Sequence, residues 1–320
     1  MALRIVMMGT GAFALPTLSA LFQSEHDVVG LFTQPDRTGR GHHRHAHPMK
    51  EAALAHGTPV FQPHNVNEVH FVEELRSLHA DLFVVAAYGQ LLSADVLQSA
   101  ARGAINVHAS LLPKYRGAAP IQHAILKGET ETGITIFQIE PKLDAGPMLG
   151  VESTAIGPKE TSGDLERRLA KIAAPLLLDV VAHLEANSLN PIPQDAALAT
   201  KAPRLRKANG AIDWSRSAEE ICQHVRAMQP WPTAFTYLYQ PGKKPLRLIL
   251  IDVEAGPAEN DTEPGTICTT DEKRVMVRAD GGTVEIRQLR PEGKRAMEAA
   301  EFLRGHSIGP NARLSGDVPG

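Results

Sequence analysis

Leu3-Arg4-Ile5-Val6-Met7-Met8-Gly9-Thr10-Gly11-Ala12-Phe13-Ala14, residues 3–14, is an apolar run broken by two glycines and continued by a helix-forming stretch. Unbroken apolarity over so short a run marks a strand buried on both faces, and a strand that turns straight into a helix is the repeating unit of α/β folds. The same alternation recurs outward from it, with apolar runs at Val28–Thr33, Pro59–Phe61, Leu82–Ala87, Ala104–Val107 and Ile134–Ile139 separated by helix-like segments. This pattern predicts a Rossmann-like α/β layer domain with a parallel sheet over residues 1–189. Its last element is a long helix. Thr161-Ser162-Gly163-Asp164 has the form of a capping box, and Leu165, Leu169, Ile172, Leu176, Val180 and Leu184 follow at helical spacing, with Pro175 expected to bend the pattern.

Beyond that helix the periodicity stops. Residues 190–209 collect Pro191, Pro193 and Pro203 and read as a semi-rigid connector. Residues 210–320 form a second domain: Ser217-Ala218-Glu219-Glu220 is another capping box, and short β-type runs follow at Phe235–Tyr239, Leu246–Val253, Thr266–Thr269, Val275–Arg278 and Thr283–Leu289. Asp280-Gly281-Gly282 supplies the positive φ of a tight hairpin between the last two. Five short strands predict a small, OB-like β-barrel, and residues 306–320 are expected to be poorly ordered.

Composition narrows the function. The chain has 320 residues, 43% of them hydrophobic, too many for one core of typical size. Nothing in it approaches a membrane-spanning run, and Met1-Ala2-Leu3-Arg4-Ile5 has no leader pattern, so a cytoplasmic protein without membrane association is expected. Cys222 and Cys268 lack metal or disulfide spacing and are read as small core residues. A net charge of −3 means that any nucleic-acid contact must rest on local basic patches.

Three features carry possible chemistry. Gly9 to Ala14 satisfies a dinucleotide-binding pattern, but the acidic residue wanted for a ribose arrives late, at Asp36 in a proline turn, so the segment is read as a tight strand-to-helix turn. Asn106-Val107-His108 closes a buried strand. Side chains two apart on a strand share a face, so Asn106 and His108 emerge together at the carboxyl edge, where open α/β sheets bind ligands. Asp144, in Leu143-Asp144-Ala145-Gly146-Pro147, is by itself a turn aspartate and gains meaning only beside the other two.

Asn106-Val107-His108, Ser110-Leu111-Leu112-Pro113, Lys114-Tyr115-Arg116-Gly117-Ala118-Ala119-Pro120 and Leu143-Asp144-Ala145-Gly146 together resemble the formyltransferases that use formyltetrahydrofolate. The similarity extends to Phe32-Thr33-Gln34-Pro35-Asp36-Arg37, Ala87-Tyr88-Gly89, Ala211-Ile212-Asp213-Trp214 and Pro230-Trp231-Pro232, and so spans both halves of the chain. The resemblance implies transfer of a formyl group from 10-formyltetrahydrofolate to the amino group of initiator methionyl-tRNA, with Asn106, His108 and Asp144 as catalytic residues. It sets Ser110, Leu111, Leu112, Pro113, Tyr88, Gly89 and Leu91 against the folate, and implies no metal. An amine attacking a formyl carbon creates an oxyanion, which an amide and an imidazole can stabilise, while a carboxylate favours the protonated ring.

For the tRNA, the resemblance points to a basic loop with Arg37, Arg40 and Arg44, where His42, His43, His45 and His47 stand in place of the more familiar lysines. It points also to the basic connector, Lys201, Arg204, Arg206 and Lys207. A monomer is expected. Rival readings are transfer to another amine, such as glycinamide ribonucleotide or an amino sugar nucleotide, a nicotinamide-dependent oxidoreductase, and a non-catalytic tRNA-binding protein.

Overall fold

The apolar runs of the first half become strands because their side chains have nowhere wet to go: Ile5, Val6, Met7 and Met8 are fully buried, as are Leu31, Phe32, Phe83 and Val84. A computed structural model of the chain describes residues 2–36, 47–257, 263–270, 274–309 and 311–317. In chain order the first part runs β1 (Arg4–Gly9), α1 (Leu15–Phe22), β2 (Asp27–Phe32), α2 (Pro48–His56), β3 (Val60–Phe61), α3 (Val69–Ser77), β4 (Leu82–Ala86), α4 (Ala94–Leu97) and β5 (Ala104–His108). It continues with β6 (Arg116–Gly117), α5 (Pro120–Leu126), β7 (Glu131–Gln138), β8 (Met148–Ala155), α6 (Ser162–Glu185) and β9 (Lys201–Ala202). The chain divides into two units, the first made of residues 1–120, 131–155 and 165–203, the second of residues 121–130, 156–164 and 204–320.

In the first unit the sheet order is β3-β2-β1-β4-β5-β7-β8. The first five strands are parallel, the Rossmann-like arrangement that alternation predicts. The Ile134–Ile139 run departs from it, since β7 pairs antiparallel with β5 and β8 antiparallel with β7. A parallel strand would need a crossover back over the sheet. After His108 the chain instead stays at the carboxyl edge and re-enters from there, a direction that apolar periodicity does not encode. The capping box at the start of α6 forms, with Asp164 accepting from the Thr161 N–H and Thr161 Oγ1 accepting from the Asp164 N–H. α6 runs through Pro175 as one helix. A separate two-stranded sheet joins β6 to β9, in parallel, Arg116 opposite Lys201 and Gly117 opposite Ala202.

The second unit contains α7 (Ala218–Ala227), β10 (Ala234–Tyr239), β11 (Leu246–Gly256), β12 (Ile267–Thr270), β13 (Val275–Ala279), β14 (Gly282–Pro291), β15 (Met297–Glu298), α8 (Ala299–Gly305) and β16 (Arg313–Ser315). Ser217 and Glu220 form the expected capping box on α7. The strands are antiparallel in the order β12-β13-β14-β11-β10-β16, and a bridge between Thr266 and Arg313 brings the two ends together into a nearly closed barrel. Gly281 at φ +65° makes the two-residue turn from β13 to β14. The tail departs from expectation: Arg313–Ser315 is an ordered barrel strand because Ala312 and Leu314 are buried, at 4% and 3% exposure. Cys222 and Cys268 are half-buried rather than core residues, and burial pushes the Cys222 thiol up to about 11. Among the described residues no helix is long and apolar enough to cross a membrane.

On α7, His224 has its Nε2 buried and without a hydrogen-bond partner among the described residues. Burial holds its pKa below the ordinary 6.5, outweighing a hydrogen bond to the Gly210 backbone that acts the other way. The unfolded chain therefore binds the proton first, so this residue's share of stability is complete above the ordinary value and fades as the pH falls below it. Thermal melts between roughly pH 7.5 and 5 are expected to show a smaller acid loss for His224→Gln than for the unmodified chain. Parallel curves would remove His224 from the acid response.

Candidate active site

β5 places Asn106 and His108 on one face at the carboxyl edge, opposite Phe137 and Thr135 of β7. His108 is 6% exposed, and its ring meets Phe137 edge-on with centroids 6.2 Å apart. Its Nε2 lies 3.0 Å from the Tyr115 carbonyl oxygen. A carbonyl only accepts, so Nε2 carries the hydrogen and Nδ1 of the neutral ring is bare. Nδ1 faces Asp144 Oδ2 at 4.0 Å, close enough for strong electrostatic coupling but too far for a direct hydrogen bond. Burial pulls the His108 pKa below its usual value, opposed by the Asp144 charge and the Tyr115 carbonyl. The Asn106 side chain is half-buried and makes no hydrogen bond to any described residue.

Asp144 reaches this pair from a turn with φ +47°. Its Oδ2 accepts the Gly117 N–H at 2.8 Å, and its backbone oxygen accepts Gln194 Nε2 at 3.0 Å. Gly117 itself has φ +127°, and a Cβ there would lie 2.5 Å from the Ala202 carbonyl oxygen. Gly117→Ala therefore combines an unfavourable φ with overpacking of the β6–β9 pair, together worth about 2–4 kcal/mol. A lower melting temperature and slower turnover are expected together; an alanine variant with both unchanged would mean that the two strands separate freely.

The Ser110-Leu111-Leu112-Pro113 segment is bound down by Thr135 of β7. Thr135 Oγ1 donates to the Ser110 carbonyl at 2.7 Å and accepts from the Leu112 N–H at 3.1 Å, while Ser110 Oγ donates to the Lys114 carbonyl at 2.8 Å. Leu112 is buried, and Leu111 and Pro113 are half-buried. The Tyr88 ring lies in the core cluster with Val66, Val72, Phe83 and Val96, its hydroxyl buried and unpartnered among the described residues, which drives its pKa upward. Gly89 is exposed with φ +81°, and Leu91 is 76% exposed. The Gly9–Ala14 turn is occupied by its own polar contacts: Thr10 Oγ1 meets Thr33 Oγ1 at 3.3 Å and accepts the Gln34 N–H at 3.2 Å.

Arg37, Arg40 and Arg44, with His42, His43 and His45, lie outside the described residues. The stems flanking them are joined by Lys50, which pairs with Asp36 at 2.6 Å and donates to Gln62 Oε1 at 2.7 Å. Lys201 is exposed on β9, and Arg204, Arg206 and Lys207 are exposed in the second unit. No cluster of three or more potential metal ligands occurs among the described residues. Sequence reasoning does not single out the Tyr115 carbonyl, Thr135, Gln194 or Thr200. The first is a backbone group, and the others carry no motif of their own.

Residues 3–181 match the family described as Formyl transferase, and residues 204–307 match Formyl transferase, C-terminal domain. The chain is 44% identical to the methionyl-tRNA formyltransferase of Nitratidesulfovibrio vulgaris, over 99% of this chain and 96% of that one. It is 43% identical to the methionyl-tRNA formyltransferase of Acidobacterium capsulatum, over 98% and 99%. Among solved structures it is similar to WlaRD, a sugar 3N-formyltransferase crystallised with dTDP and 5-N-formyl-THF, with TM-score 0.66, 17% identity and coverage of 92% and 100%. It is also similar to HypX from Aquifex aeolicus in complex with tetrahydrofolic acid, with TM-score 0.61, 17% identity and coverage of 95% and 47%. At such identities these structural likenesses concern the fold.

Proposed function

This chain belongs to the formyl transferase family, and on that premise we propose that Asn106, His108 and Asp144 carry a formyl group from 10-formyltetrahydrofolate to the amino group of initiator methionyl-tRNA. It is an enzyme of the methionyl-tRNA formyltransferase kind, matching such relatives over nearly its whole length. The observation that carries the catalytic reading is a buried imidazole, bare at Nδ1, facing a carboxylate at 4.0 Å beside an unbonded amide.

In this reading His108 rests neutral. As the amine attacks the formyl carbon, a C–N bond forms and the carbonyl oxygen becomes an oxyanion, to which the Asn106 amide donates. His108 Nδ1 takes the proton shed by the amine, Asp144 stabilises the imidazolium, and the same proton passes to the folate nitrogen as its bond to the formyl carbon breaks. The Ser110–Pro113 segment, with Tyr88, Gly89 and Leu91, forms the folate slot, and the half-buried apolar surface of Leu111 and Pro113 supports that role. Arg37, Arg40, Arg44, Lys201, Arg204, Arg206 and Lys207 meet tRNA phosphates, with a monomer working in the cytoplasm. The exposure of Lys201, Arg204, Arg206 and Lys207 supports this.

The deciding assay is incubation with 10-formyltetrahydrofolate and charged initiator tRNA, followed by mass spectrometry for formylmethionine, with glycinamide ribonucleotide in parallel. Formylation of the tRNA alone is expected, and formylation of the nucleotide alone would reassign the acceptor. The pH profile tests the base. Because burial lowers the His108 pKa, kcat is expected to be level near neutrality and to fall with acid around a midpoint below 6.5. A midpoint above that value would contradict a neutral resting imidazole.

A further inference from the structure

We propose that Gln194 and Thr200, on the segment whose sequence reads as a connector, are positioning residues for the catalytic pair His108 and Asp144. The proposal rests on the roles just assigned to that pair. Gln194 is half-buried and uses its whole amide. Nε2 donates to the Asp144 and Gly146 carbonyls at 3.0 and 2.8 Å, while Oε1 accepts from Arg116 Nε and Nη2 at 3.1 and 2.7 Å. One side chain thus ties down two carbonyls of the turn that holds Asp144 at φ +47°, and a two-pronged guanidinium fixes that side chain from behind. The next residue after Arg116 is Gly117, whose N–H sets the carboxylate itself.

Thr200 holds the other partner. Its Oγ1 accepts the Tyr115 N–H at 2.8 Å, and its carbonyl accepts the Arg116 N–H at 2.9 Å. Tyr115 sits at φ +63° and presents the carbonyl that fixes the His108 tautomer. The segment from Gln194 to Ala202 therefore grips the aspartate at one end and the histidine's partner at the other, and the spacing between these grips sets the 4.0 Å gap between ring and carboxylate. Large apolar side chains contribute little to holding the segment, since Ile192 and Leu198 are 55% and 61% exposed and only the small Ala202 is fully buried. Its attachment is polar and aimed at the site.

The test uses the full chain and both substrates. Thr200→Val keeps the shape and loses the acceptor, Thr200→Ser keeps the acceptor, and Gln194→Met keeps the length and loses both hydrogen-bonding atoms. Displacement of a catalytic group by a fraction of an ångström is expected to lower kcat about tenfold in Thr200→Val and Gln194→Met, with both KM values within about twofold of the unmodified enzyme. The acid midpoint of kcat should move to lower pH in these variants, because the carboxylate and the carbonyl both favour the imidazolium and both would sit less well. Thr200→Ser should restore rate and midpoint. Unchanged kcat and pH profile in folded Thr200→Val and Gln194→Met would overturn the proposal. Should Gln194→Met fail to fold, the two variants at the exposed Thr200 decide alone. Asp144→Asn runs alongside: wild-type turnover there would sink the assigned roles, whereas an inactive Asp144→Asn with normal connector variants would sink only this inference.

Discussion

Replacing His108 by alanine is expected to slow formyl transfer at least about a hundredfold, the usual scale for an acid–base partner in a water-poor site. The effect should fall on kcat and leave both KM values nearly unchanged, because the ring faces Asp144 and Tyr115 rather than the surface. Asn106→Ala is expected to approach the same loss by removing an amide that has no structural hydrogen bond to give up. Steady-state kinetics with charged tRNA, checked by melting temperature, separates chemistry from folding. Turnover unchanged in His108→Ala would locate the chemistry elsewhere.

The second large effect concerns salt. If the connector's exposed cations neutralise phosphates, each contact adds about 0.9 to the slope of log affinity against log salt. Replacing Arg204 and Lys207 with alanine should flatten that slope by about 2, and weaken binding by roughly ten- to a hundredfold in dilute buffer. Filter binding or fluorescence anisotropy over a salt series measures both quantities. An unaltered slope would take these residues out of the tRNA interface.

How much of the molecule is legible in its sequence depends on how locally each feature is encoded. Thr161 with Asp164, and Ser217 with Glu220, satisfy free N–H groups within one turn, so spacing alone reveals both helix starts. The two-residue period of a strand likewise suffices to put Asn106 and His108 on one face. Direction is not local, and β7 reads as a parallel strand because periodicity is the same either way. The strand at Arg313–Ser315 is hidden for a related reason: only Ala312 and Leu314 in so short a segment are apolar, and what orders them is a partner some 75 residues earlier. The Tyr115 carbonyl, a main-chain atom at an unusual φ, and Gln194, reaching Asp144 across 50 residues, leave no signature in composition or spacing.

The barrel's seam carries a consequence for biosynthesis. Its first strand, Ala234–Tyr239, must wait for Arg313–Ser315 before it has neighbours on both sides, and Thr266 waits for the same segment. During synthesis that seam therefore closes last, after β10 to β14 have had the chance to pair with one another, whereas the first five strands of the other unit find their partners as they appear. A chain ending before Arg313 should be cut by protease more readily within Ala234–Tyr239 than the full chain, with β1 to β5 equally resistant in both.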